Sequence, residues 1–432
     1  MRADVRPDGH AHAGRANVDV SSARRAARLA ALRLAGRPLS AIGGLHGARA
    51  LPGFQAGRDG SLRILLIRPD HLGDVLLATP AATLLRTALP TAKIDWLVGP
   101  WSSEIARLAG GPGDALTLNF PGFTRQPKRS AVEPYATLVR EAARLRARRY
   151  DAALILRPDH WWGTMLAAAA GMPRRFGFSI PECQPFLTDT LPPPTGHAVR
   201  ANQELADLAA RRLGGSVEAG RGTLAPRFLV AEADAAWAAN HPLVANGSSA
   251  PLIAIHPGTG ASLKGWLPDR WAEVTQALTA EHGARVVLTG GPGEQTLIDQ
   301  ITARLDPPPM TLVGATTIGQ LAALFARCHL VVGGDSGPLH LAAAVGTPTV
   351  RLYGPIDVRE FGPWPPDGGH IALAAGLACQ PCRDLVAPPC GARKAPPCMR
   401  ALDVDTVLAA ATRLLAARHL PPAAMTARFE QR

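Results

Sequence analysis

Short, almost uninterrupted apolar runs alternate with helical patterns twice along this chain, and that alternation admits few folds. The first series places strands at 62–68, 94–98, 116–120 and 152–156, with helices at 75–89, 103–108 and 135–149 between them. The second places strands at 252–256, 285–289, 311–313, 330–332 and 349–353, with helices at 270–281, 294–305, 318–326 and 339–345. Strands that lack polar alternation are buried on both faces, and the intervening helices cover them, so each series predicts a parallel α/β sheet. At 432 residues the chain exceeds one ordinary core and fits two domains. The expected organisation is a basic, weakly ordered segment at 1–60, a Rossmann-like domain at 61–240, a second at 250–402, and a helix over 404–417 with its tail closing 403–432. The stretch 232–250, poor in pattern and carrying Asn246-Gly-Ser-Ser249, reads as the linker.

Ligands of such sheets bind outside the carboxyl ends of the strands. Three loops fall at such ends: Gly73-Asp74, Gly290-Gly291 and the run Gly333-Gly-Asp-Ser-Gly-Pro-Leu-His340. They are expected to converge on a cleft between the two halves. The last run sits between an apolar strand and a small-residue helix. It presents free backbone N–H groups and a positive dipole end, which suits a phosphate-bearing ligand such as a nucleotide sugar. The competing reading is a glycine turn that serves only close backbone packing.

Composition narrows the class. With 47% hydrophobic and 19% charged residues the chain is globular rather than disordered. No apolar run approaches the roughly 18 to 20 residues of a spanning helix, and Arg2, Asp4, Arg6 and Asp8 have no apolar core behind them. A cytoplasmic protein, soluble or peripheral, is the expectation. The net charge of +12 is uneven: residues 1–60 hold ten Arg against four Asp, and Arg140, Arg144, Arg146, Arg148 and Arg149 form a second basic run. A helix at 21–34, with Leu29, Leu32 and Leu34 among arginines, has the makings of an interfacial helix. Such clusters meet acidic partners or anionic surfaces, or lie solvated. Nucleic acid is not expected, because aromatic residues are only 5% and no nucleic-acid motif is present.

Four landmarks occur in order: Ile67-Arg-Pro-Asp-His-Leu-Gly-Asp74; His256-Pro-Gly-Thr-Gly260 with Lys264-Gly-Trp-Leu-Pro-Asp-Arg-Trp271; Gly290-Gly-Pro-Gly-Glu294; and the run at 333–340. With them the chain resembles glycosyltransferase family 9, the heptosyltransferases of the lipopolysaccharide inner core, over about 62–415. The resemblance implies a GT-B fold, two Rossmann-like domains facing across a cleft, with the helix at 404–417 returning toward the first domain. It also implies inverting, metal-independent transfer of a heptose from ADP-heptose to an anionic core acceptor. The acceptor would sit in the first domain and the donor in the second.

Inversion needs one carboxylate to take the acceptor's proton, and Asp74 matches the family's residue for that role. Its alternative is a helix N-cap worth about 1 kcal/mol. Asp70 is a second carboxylate nearby and shares the candidacy. The loop departs from the heptosyltransferase I pattern, with Pro69, Asp70 and His71 where small hydroxyl residues are usual. Lys264 suits the charge that grows on a leaving nucleoside diphosphate. Thr259, Ser262 and the backbone around Gly258 and Gly260 suit phosphate. Asp335, Ser336, Gly337 and His340 match the family's nucleotide-sugar motif, and Glu294 an acidic residue at the nucleoside. The bland counterparts are an exposed loop lysine, an ordinary helix histidine and a first-turn acid.

Cys379, Cys382, Cys390 and Cys398 lie within twenty residues, while Cys183 and Cys328 stand alone. Four thiols so close suggest a structural zinc, free or redox-linked thiols being the alternative. Three rival functions remain: a related glycosyltransferase with another nucleotide sugar, a non-catalytic carbohydrate-binding protein, and a nicotinamide oxidoreductase. The last is disfavoured because the first strand is not followed by a Gly-x-Gly-x-x-Gly turn.

Overall fold

The computed structural model describes residues 29–34, 61–109, 111, 113–124, 130, 132–216, 224–245, 248–366 and 368–417. Of the interfacial helix expected at 21–34, residues 29–34 are helical and the rest lie outside the described residues, as does most of segment 1–60.

Two six-stranded sheets form the framework. The first contains β1 (Arg63–Arg68), β2 (Lys93–Val98), β3 (Ala115–Thr117), β4 (Ala152–Ile155), β5 (Arg174–Phe178) and β6 (Asp189–Leu191), in the order β3-β2-β1-β4-β5-β6. The second contains β7 (Leu252–His256), β8 (Arg285–Gly290), β9 (Met310–Val313), β10 (Leu330–Gly334), β11 (Thr349–Tyr353) and β12 (His370–Ala374), in the order β12-β11-β10-β7-β8-β9. Pairing is parallel, with Leu66 opposite Leu154 and Val332 opposite Ile255. Counted from the first strand of each sheet, both orders are 3-2-1-4-5-6, the doubly wound arrangement whose ligand crevice opens where the order reverses. In the second sheet that point lies between β7 and β10, whose strands are buried along their whole length.

Compactness divides the chain into two units, Met1–Ile67 with Thr91–Lys93 and Arg125–Pro193, and Arg68–Pro90 with Ile94–Thr124 and Pro194–Arg432. The loop that follows β1 therefore belongs with the whole of the second sheet. In the first unit β1 and β4 run Ile64, Leu65, Leu66, Ile67 beside Ala152, Ala153, Leu154 and Ile155, all at most 1% exposed. The second unit has one core on each face of its sheet. One gathers Ile253, Ile255, Trp266 and Trp271 with Val407, Ala411 and Leu415, and the other Leu252, Val287, Phe325, Leu339 and Leu243.

Three expectations change. The segment at 232–250 is not a plain linker: it forms helices Glu232–Asn240 and Pro242–Ala245, and Leu243 and Trp237 pack into the second core. The helix expected at 75–89 is two, Leu72–Leu76 and Thr79–Ala88, because Pro80 supplies no N–H and starts a new first turn. The helix Val404–Ala417 forms as expected, but its buried face enters the core of the second sheet instead of leaving it for the first domain.

Candidate functional site

The loops after β7 and β10 meet at the reversal point of the second sheet. A Cβ on Gly333 would sit 2.5 Å from the His256 carbonyl oxygen, and one on Gly334 would sit 2.8 Å from Thr259 Cγ2, so only glycine lets the two loops lie this close. Asp335 follows, buried, with its N–H donated to the Leu352 carbonyl. Its carboxylate takes Lys264 Nζ at 3.0 Å, with side chains only 7% and 16% exposed. Lys264 stands on a 3₁₀ turn, Ser262–Lys264, that is pinned by the Ser262 hydroxyl donating to the Arg393 carbonyl at 2.9 Å. An ammonium has three donors and Asp335 takes one, which leaves two for an anionic ligand.

Ser336 caps the helix Gly337–Ala344 by position only: its backbone is extended, and its hydroxyl makes no cap bond. That hydroxyl is buried and has no hydrogen-bond partner among the described residues. A buried orphan hydroxyl costs about 1–3 kcal/mol unless a ligand or water satisfies it. Here it lies beside the free N–H groups of the helix start, where phosphate oxygens are favoured.

The Asp74 loop reaches the same helix start. A Cβ on Gly73 would lie 3.0 Å from His340 Cδ2 and 3.2 Å from Gly337 Cα, and one on Gly337 would lie 3.1 Å from Gly73 N. The two short helices touch through paired glycines, and Asp74 is the next residue. His71, not Asp74, occupies the N-cap of Leu72–Leu76, so the capping alternative for Asp74 is replaced by a first-turn position. Arg68 lies between the two candidate carboxylates, with Nε 2.8 Å from Asp70 Oδ2 and Nη2 3.1 Å from Asp74 Oδ1. Their surroundings differ. Asp70 is 5% exposed in its side chain, and its backbone carbonyl accepts from Trp101 Nε1 and the Ser102 hydroxyl, whereas the Asp74 side chain is 35% exposed. Asp74 is the more open of the two carboxylates, and the Arg68 guanidinium links it to Asp70.

Glu294 is the N-cap residue of helix Gln295–Thr302, and its carboxylate accepts the Gly291 N–H at 2.7 Å. It also lies directly across Gly258, where a Cβ would come within 2.0 Å of its Oε1. His256 is buried beside it, Nε2 3.7 Å from Glu294 Oε2 and Nδ1 3.0 Å from the Thr289 hydroxyl. Burial pulls the His256 pKa down to about 4, outweighing the carboxylate, so at neutral pH the contact is polar rather than an ion pair. Gly258 thus makes room for Glu294, while Thr259 turns its hydroxyl to the Ala261 carbonyl and its methyl to Gly334.

Beneath the helix start lies a buried polar chain. Arg351 is fully buried in β11, donating from Nη1 to His340 Nδ1 at 3.1 Å and from Nε to the Thr349 hydroxyl at 3.0 Å. Guanidinium has no acceptor, so His340 Nδ1 must carry the lone pair and Nε2 the proton. Burial first, then the charges of Arg351 and Lys264, hold the His340 pKa well below the ordinary value. His340 is consequently a neutral donor of fixed tautomer next to Gly73.

The glycosyltransferase family 9 (heptosyltransferase) model matches residues 138–388. The chain belongs to that family. It is 29% identical over 301 residues to lipopolysaccharide heptosyltransferase 3 of Escherichia coli, covering 68% of this chain and 83% of that protein. To lipopolysaccharide heptosyltransferase 2 of E. coli K12 it is 25% identical over 308 residues, with the same shares. Among solved structures it resembles a family 9 glycosyl transferase of Veillonella parvula, with TM-score 0.68, 23% identity, and 82% of this chain and 98% of that one covered. It also resembles E. coli ADP-heptose lps heptosyltransferase II, with TM-score 0.63, 23% identity, and 83% and 100% covered. The protein is a glycosyltransferase of GT-B fold, each Rossmann-like sheet wound in the same order.

Within this family 9 chain, the sequence did not single out Arg68, Arg351 or His256, which the fold brings against Asp74, His340 and Glu294. Arg351 had a signal: it is a lone charge inside an apolar parallel strand, where charges stand only with a reason. The four C-terminal cysteines do gather, lining one pocket with Leu263, Gln380 and five prolines directly behind the turn that carries Lys264. Among the described residues all six cysteines are free thiols, and no three His, Cys, Asp or Glu groups are placed to hold a metal ion. Closing these thiols on an ion would require them to draw together.

Proposed function

We propose that the protein transfers a heptose from ADP-heptose to a lipopolysaccharide inner-core acceptor with inversion at the anomeric carbon. The observation that carries the reading is the convergence on one helix start of a partly open carboxylate, Asp74, and an ammonium, Lys264, with two of its three donors left for a ligand. Asp74 takes the proton of the acceptor hydroxyl as its oxygen attacks the anomeric carbon. The bond from that carbon to the diphosphate breaks, and ADP leaves with the charge. Lys264 and the N–H groups of Ser336 and Gly337 stabilise that charge, which leaves no step that calls for a metal. Asp335 and His340 Nε2–H face the sugar hydroxyls, Glu294 the ribose hydroxyls, and the backbone of Gly258, Thr259 and Gly260 the phosphates. The relatives' names support the substrates, and another structure of like fold is E. coli heptosyltransferase WaaC with ADP, TM-score 0.58. The reading places the protein in the cytoplasm, peripheral on the inner membrane; among the described residues no helix is long and apolar enough to cross it. A zinc at Cys379, Cys382, Cys390 and Cys398 stays within the proposal as a structural element, read by metal analysis of purified protein, with less than about half an equivalent counting against it.

A panel of nucleotide sugars, assayed for transfer and for slow donor hydrolysis with and without chelator, tests this. ADP-heptose should be turned over fastest, and chelator should leave the rate unchanged. Preference for another nucleotide sugar would reassign the donor, and binding without turnover of any donor would overturn the enzymatic reading.

A further inference from the structure

The helix Glu133–Ala147 has an outward face that no element among the described residues covers. Its inward face is anchored: Leu138, Ala142 and Leu145 are buried, and Trp162 Nε1 of the neighbouring helix Trp161–Ala169 donates to the Pro134 carbonyl. On the outside Val132, Tyr135 and Val139 are 69%, 54% and 68% exposed. They are spaced three and four residues apart, so they share one stripe of the helix. Three of the eight strongly exposed large hydrophobics among the described residues thus fall in a single stripe, where exposed apolar side chains are ordinarily scattered.

The charge around the stripe is equally one-sided. Residues 132–149 carry five Arg against two Glu, a surplus of three. Of the two acids, Glu141 is nearly buried and is taken by Arg140 and Arg144, so it does little to offset the positive field. Arg140, Arg146 and Arg149 are exposed on the helix or just beyond its end. An apolar stripe with a tyrosine, set among arginines on an anchored helix, combines a hydrophobic insert with an electrostatic attraction to anionic headgroups.

We propose that this face is the membrane-docking surface of the protein and that its partner is an anionic phospholipid bilayer. The inference rests on the reading of the acceptor as a lipid-linked core: an enzyme working on such an acceptor gains from being held at the surface that carries it. Val132, Tyr135 and Val139 seat at the headgroup boundary while the arginines meet lipid phosphates, and each contribution alone is weak and reversible.

The test is co-sedimentation of the full chain with phosphatidylglycerol-containing vesicles and with pure phosphatidylcholine vesicles. The wild type is compared with the double variant Tyr135→Asp, Val139→Asp, which changes only exposed side chains. Wild-type binding should favour the anionic vesicles, weaken with salt, and fall roughly tenfold or more in the variant, while turnover of a soluble acceptor analogue stays unchanged. Equal binding of variant and wild type to anionic vesicles would overturn the proposal. So would a wild-type dimer that the variant converts to monomers with vesicle binding intact, since the stripe would then be a self-association face. The vesicle assay uses no donor or acceptor, so it can succeed where the heptose reading fails, and the reverse.

Discussion

At the scale of single residues, two carboxylates share one arginine but not one environment. Asp70 and Asp74 are alike in the sequence, four residues apart in the same loop, and chain chemistry alone leaves both as bases. Environment separates them: Asp70 is shut in against Arg68, while Asp74 keeps about a third of its side chain open. Asp74→Asn retains size and polarity at a half-buried first-turn position, so the melting temperature should hardly move while kcat falls by about 10² to 10⁴. Asp70→Asn leaves the buried Arg68 short of a charged partner and should lower stability, with a smaller loss of rate that reflects a displaced Asp74. Steady-state kinetics beside thermal melts separate the two. A fast Asp74→Asn with a folded but dead Asp70→Asn would reverse the assignment.

Between secondary-structure elements, placement depends on the contact of two short helices through glycines at 73 and 337. Gly73→Ala would push a methyl to 3.0 Å from His340 and 3.2 Å from the Gly337 backbone, and the backbone cannot yield as a side-chain tip can. Displacing Asp74 by a few tenths of an ångström should slow transfer about tenfold with donor affinity nearly kept, since near-attack geometry is sensitive at that scale. An unchanged kcat would show that this contact does not position the base. The sequence displayed the loops of this site well, because glycine, proline and aspartate punctuate strand ends, and it placed β7 and β11 to the residue. It did not display β5, which opens on Arg174 and Arg175. Arg175 is 2% exposed, and its guanidinium is satisfied by the Phe186 and Met172 carbonyls, a solution only the folded chain can supply. β6 is three residues long, too short for any period to register. The helices at 232–245 were hidden for a related reason: alanine-rich turns carry little amphipathic pattern, and the packing of Trp237 and Leu243 decides them.

Across the whole molecule, histidines are concentrated in the interior of one unit. His197, His256, His340 and His370 all belong to the second unit, and burial lowers the pKa of each, to about 4 for His256 and His370. In the unfolded chain they would titrate near 6.5. Between pH 6.5 and 4 the unfolded state therefore binds protons that the folded state refuses, so stability is complete above about pH 6.5 and is lost as pH falls toward 4. For His256 alone, 4% exposed, the shift corresponds to about 3 kcal/mol across that window, a large share of any domain's stability. The loss should fall first on the half that carries Lys264, Asp335 and Ser336, and with it on donor binding. Urea midpoints measured from pH 7.5 to 4.5 should hold steady to about 6.5 and then decline steeply, with His256→Asn giving a shallower decline. A midpoint that stays level down to pH 4.5 would mean that these histidines are not held neutral by burial, and the fixed donor role of His340 would lose its physical basis with them.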